Sequence, residues 1–89
     1  MSAAQIICKV LPGLFADEYY VMVNGSSAYY VSRENVKVTG TPAPGQPADG
    51  IVNGYIVETA GAKTLVQVPG EAVVGGMRTW VESEAVTAA

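Results

Sequence analysis

The chain contains no histidine, which removes the residue most often used as a general base and as a metal ligand. It has one cysteine, Cys8, so neither an intrachain disulfide nor a Cys/His zinc site can be built. Cys8 lies in the apolar run Ile6-Ile7-Cys8-Lys9-Val10, where a small buried hydrophobe is expected and not a reactive thiol. Two close carboxylate groupings exist, Asp17-Glu18 and Glu82-Ser83-Glu84. Such groupings can share a proton or hold calcium, but both flank strands at turn positions, where solvated charge is ordinary. No Walker sequence and no dinucleotide fingerprint occurs, and the glycines of residues 70–76 do not open a helix. We therefore assign no catalytic residue, no cofactor and no metal, and expect a protein that is not an enzyme. The one enzymatic alternative is a site formed only where copies of the chain meet.

The aromatic residues have more to offer. Tyr19-Tyr20 and Tyr29-Tyr30 lie on either side of Asn24-Gly25. Neighbours on a strand point to opposite faces, so one tyrosine of each pair faces the core and the other faces out. The outward two could form a platform for a proline-rich peptide or a stacked base; the alternative is plain cross-strand packing. Trp80 shares a face with Arg78 and Glu82 and is either the core anchor of the second half or a contact hot spot. With Pro42, Pro44 and Pro47, these give the interaction candidates: Tyr19, Tyr20, Tyr29, Tyr30, Trp80 and the three prolines.

Strands must position these side chains. Apolar residues alternate along the chain and do not recur at helical spacing. Residues 5–10 form a first strand, with Ile6, Cys8 and Val10 on one face. Residues 18–23 form a second, and Asn24-Gly25 marks a hairpin because both residues tolerate positive φ. Residues 28–31 and 35–38 follow, with room for one helical turn at 33–35 or at 82–84. After the midpoint, strands are expected at 51–58, interrupted by a bulge at Gly54, at 63–68, and at 77–81 with a continuation over 82–86. Residues 73–76 read ambiguously. Between the halves lie the three prolines and three glycines of residues 40–50, expected as a linker or arm of polyproline character.

The halves resemble each other. Tyr30-Val31-Ser32-Arg33-Glu34-Asn35-Val36 aligns with Trp80-Val81-Glu82-Ser83-Glu84-Ala85-Val86, and Tyr20 to Gly25 aligns with Leu65 to Gly70. This is either a duplication or the common likeness of β-hairpins. Residues 29–36 also resemble the closing segment of SH3-like barrels, an aromatic strand, one 3₁₀ turn and a short last strand, and residues 79–86 are similar. Paired tryptophans and the early acidic-aromatic strand of peptide-binding SH3 domains are missing, and Ser32 and Glu82 stand where their proline does. The resemblance therefore implies a barrel shape and no ligand site. The expected fold is all-β: one small SH3-like barrel, or two tandem barrel-like repeats over residues 1–39 and 51–89 joined by residues 40–50.

Composition narrows the role. Charged residues make up 15% of the chain against about 25% in ordinary soluble domains, which favours a protein that covers surface in an assembly. The net charge is −3 and no two basic residues are adjacent, so nucleic-acid binding is not expected. No stretch reaches the length of a membrane span, and the N-terminus does not read as a secretory signal. The low charge and the Ala, Gly, Thr and Val content resemble the small decoration, cement or head-completion proteins of tailed bacteriophages. That resemblance implies a virion protein acting through protein contacts, with a capsid shell or copies of itself as partner. The alternative is a cytoplasmic SH3-like adaptor that binds a peptide through its exposed tyrosines.

Overall fold

Strand follows wherever apolar and polar side chains alternate. The computed structural model describes residues Met1–Ala89. Its strands are β1 (Ser2–Pro12), β2 (Glu18–Val23), β3 (Ser27–Ser32), β4 (Val36–Val38), β5 (Ala48–Ala60), β6 (Lys63–Gln67), β7 (Glu71–Val74), β8 (Arg78–Glu82) and β9 (Val86–Ala88). Two 3₁₀ turns, Arg33–Asn35 and Ser83–Ala85, lead into β4 and β9. The fold is all-β. The strands form one antiparallel sheet in the order β7-β3-β2-β1-β5-β6-β8, with β4 added to β5 and β9 added to β1, and it curls into a half-barrel. No helix is long and apolar enough to cross a membrane.

The registers repeat about a pseudo-two-fold axis at the middle of the β1–β5 ladder, where Ile6 faces Val52. Val36 of β4 pairs with Val52, and Val86 of β9 pairs with Ile6. Each half thus lends its last strand to the first strand of the other half. The hairpins correspond in the same way: Tyr20 opposite Tyr30 in β2–β3 matches Leu65 opposite Trp80 in β6–β8. Two segments break the correspondence. Residues 13–17 join β1 to β2, whereas a two-residue turn at 61–62 joins β5 to β6. The second breach is β7, which lies along the edge of β3 and has no counterpart in the first half.

One core serves both halves. Ile6, Val10, Val21, Tyr29, Val36, Val52, Val66 and Val81 belong to a single buried cluster drawn from seven strands. Burying such side chains contributes about 1.5–3 kcal/mol each. Around the axis, small residues oppose each other: Ala4 faces Gly54 and Cys8 faces Gly50. A Cβ on Gly54 would lie 2.7 Å from the Gln67 carbonyl oxygen and 2.8 Å from Ile6 Cδ1. Glycine is required there for close packing.

Two expectations need correction, and one ambiguity is resolved. The β5 bulge lies between Ile56 and Glu58, not at Gly54, which keeps its register opposite Ala4. Residues 73–76 split, with Glu71–Val74 pairing as a strand because the edge of β3 is there to receive it. The Pro/Gly-rich stretch is not polyproline. Ala43 and Gln46 exchange both backbone bonds (3.2 and 2.9 Å) around Pro44-Gly45, and β5 begins already at Ala48. Proline followed by a glycine at φ 73° is the signature of a type II turn.

Candidate interaction surfaces

The four tyrosines divide by strand alternation. Tyr29 is the largest fully buried side chain, and its hydroxyl donates to the Gly76 carbonyl at 3.0 Å. Burial raises its pKa, partly offset by a hydrogen bond involving Ser27. Tyr29 is therefore core and offers no contact surface. Tyr19 packs at the edge of the core, with the Arg33 guanidinium 4.4 Å from its ring centre. On the opposite face Tyr20 and Tyr30, directly paired across β2 and β3, meet edge to face with ring centres 5.4 Å apart. Of the four, only these two form a shared outward surface, and each is half-buried.

Trp80 is 41% exposed, whereas its neighbour Val81 is 2% exposed. Trp80 is thus not the core anchor of the second half; Val81 turns inward in its place. Arg78 Nε donates to Gln67 Oε1 at 3.0 Å, and Lys63 Nζ meets Glu82 Oε1 at 2.5 Å. The side-chain amide of Asn24, at the β2–β3 turn, donates to the Trp80 carbonyl. The turn residues Asn24 and Gly25 both have positive φ, as their types foretell. Pro42 is half-buried, while Pro44 and Pro47 are exposed.

The candidate chemical groups are held apart. Burial pushes the Cys8 thiol up to about 12, so at neutral pH it carries no thiolate. Glu18 turns back on its own loop and accepts the Leu14 amide at 3.0 Å. No group of three or more Cys, Asp or Glu side chains gathers at one place.

The sequence reading missed the most exposed apolar residues. Leu14 and Phe15 are 73% and 69% exposed in the β1–β2 connection. Val73, Val74 and Met77 are also about half exposed or more, on β7 and the turn after it. One signal was present: Leu14-Phe15 falls between Pro12-Gly13 and Asp17, inside a turn where no alternation buries it.

Two grooves of about 350 and 360 Å³ lie at equivalent places under the pseudo-two-fold. Ile7, Asn24 and Ala85 line the first, where Asn53, Pro69 and Asn35 line the second. Met22 and Val81 complete an apolar first groove, whereas Asn35 and Asn53 make the second more polar. The same backbone has been given two surface chemistries. Neither groove holds a nucleophile paired with a base. No protein-family model matches the chain, and no curated protein or solved structure matches it.

Proposed function

We propose that this chain is a non-enzymatic structural protein that acts within a larger assembly through protein contacts, in the manner of the small decoration, cement or head-completion proteins of tailed bacteriophages. One observation carries the reading. Of ten exposed large hydrophobic residues, four (Leu14, Phe15, Val73 and Val74) sit on the two segments that break the pseudo-two-fold, and Met77 follows in the turn after β7. Segments added to a repeated framework and given exposed apolar side chains suit contact with a partner. The low charge content supports the same role.

The test is incorporation. Paired Leu14→Ser and Phe15→Ser substitutions leave the core untouched and should strongly reduce recovery of the chain in the particle fraction of its source. Undiminished recovery, with Val73→Ser and Val74→Ser equally silent, would count against these segments as the contact. A second reading rests on Tyr20 and Tyr30, whose shared outward face suits an extended proline-rich peptide. It requires that Tyr20→Ala with Tyr30→Ala abolish peptide binding while incorporation is unaffected.

A further inference from the structure

We infer that the open edge of β8 is a self-complementary interface that pairs with β8 of a second copy. The inference deepens the assembly reading and rests on it, since it names one of the partners.

The pseudo-two-fold matches β8 with β3. The edge of β3 is covered by β7, which pairs at Ala28, Tyr29 and Tyr30. The corresponding edge of β8, at Arg78, Thr79 and Trp80, ends the sheet. The chain supplies a strand for one of two equivalent edges and none for the other. Unpaired edges invite pairing, and natural proteins usually blunt them with proline, a bulge or inward charge. Strand β8 pairs with β6 without interruption and carries no proline or bulge, so its five-residue length, its outward Arg78 and Glu82 and the Asn24 contact on the Trp80 carbonyl are what guard it, whereas β7, the other end of the sheet, is bulged against β3.

Hydrogen bonding fixes which groups face outward. The Val68 amide donates to the Met77 carbonyl at 3.2 Å, and the Ser83 amide donates to the Ala62 carbonyl at 2.8 Å. Bonded residues alternate with non-bonded ones in an antiparallel ladder. Thr79 and Val81 therefore bond to β6, and Arg78, Trp80 and Glu82 present their backbone groups to the open side. The Asn24 amide on the Trp80 carbonyl agrees with that direction.

A second β8 running antiparallel, with Trp80 opposite Trp80, places Arg78 opposite Glu82 at both ends. Both charge pairs are then favourable, and the exposed indole rings meet at the two-fold. Shifting the register by two residues separates both Arg78–Glu82 pairs. A contact of this kind is closed, so it yields a dimer and not a filament. The β2–β3 turn must swing aside as the strand enters, because Asn24 occupies the Trp80 carbonyl. Its side-chain bond is exchanged for a backbone bond, so Asn24 acts as a latch on the edge.

Sedimentation velocity of the full chain over a concentration series tests this. The wild type should show a reversible monomer–dimer equilibrium. Arg78→Glu or Glu82→Arg alone opposes like charges at both ends and should weaken the dimer by about tenfold or more. The double substitution should restore it, and an equimolar mixture of the two single variants should form a mixed dimer. Asn24→Gly keeps the positive-φ turn, removes the latch and should tighten the dimer. Circular dichroism confirms that each variant is folded, and Arg78→Pro, which removes an outward donor and keeps the backbone ladder to β6 while losing the Arg78–Gln67 side-chain bond, should also weaken the dimer. A wild type that stays monomeric, or single variants that dimerise unchanged, overturns the inference. If the chain is monomeric yet travels with a particle, only the self-pairing falls. If the dimer follows the charge-swap pattern but no particle carries it, the self-pairing stands and the wider assembly reading falls.

Discussion

Replacing Tyr29 measures how strongly one side chain ties the two halves together. Tyr29 is the largest fully buried side chain, and its hydroxyl reaches the Gly76 carbonyl in the turn between β7 and β8. Tyr29→Ala empties an aromatic volume from the shared core, which costs about 3–5 kcal/mol. Tyr29→Phe keeps the volume and removes only the bond to Gly76, at about 0.5–1.5 kcal/mol, more if the carbonyl stays dry. A chain of this length has a total stability of about 4–13 kcal/mol, so the alanine variant should lose roughly a quarter or more of it while the phenylalanine variant keeps most of it. Urea titration followed by circular dichroism separates the two. With a slope of about 1–3 kcal/mol/M, Tyr29→Phe should lower the midpoint by roughly 0.2–1.5 M. Amide exchange should quicken around residues 75–78 in that variant before it does so elsewhere. An alanine variant that loses less than about 1 kcal/mol, or a phenylalanine variant as damaged as the alanine one, would refute the placement of Tyr29 at the centre of the core.

Gly54→Ala should lose about 1–3 kcal/mol, because the new Cβ meets the Gln67 carbonyl and Ile6; chemical denaturation reads it, and a neutral result contradicts the close packing. Gly45→Ala, at φ 73°, should lose about 1 kcal/mol through turn strain alone, read as a drop in the melting midpoint. Stability should also fall in alkali. The unfolded chain ionises Cys8 near its ordinary value of 9.0, while the folded chain holds the proton up to about 12, so folding free energy is intact below pH 9 and declines at about 1.4 kcal/mol per pH unit above it. Tyr29, also raised by burial, should steepen the decline at higher pH, and Cys8→Ala should flatten its first part. A stability profile level from pH 8 to 10.5 would contradict the burial of the thiol.

Local rules made much of this fold readable. Glu18–Val23 was expected with the bounds it has, since Tyr and Val alternate there and Asn24-Gly25 stops the strand. One helical turn was expected, at 33–35 or at 82–84; both form, the first where it was placed and the second at Ser83–Ala85, inside residues expected to continue a strand. What escaped depends on distant neighbours. Gly54 looks like a bulge along the sequence; only the approach of Ile6 and Gln67 from other strands shows that it is a packing glycine. Val73 and Val74 have no alternation of their own and become strand because β3 offers an edge. Alternation left Trp80 with two readings, and the inward turn of Val81 decides between them. The tyrosine platform shrinks from four residues to Tyr20 and Tyr30 for the same reason, since period two places side chains on faces but does not say which face meets the core.

Assembly itself remains the central claim, and rate-zonal sedimentation of the native source, with the chain located by mass spectrometry, tests it most directly. The account predicts that the chain travels with a fast-sedimenting particle and leaves it when Leu14 and Phe15 are replaced by serine. A chain that stays at the top of the gradient as a small free species would contradict it.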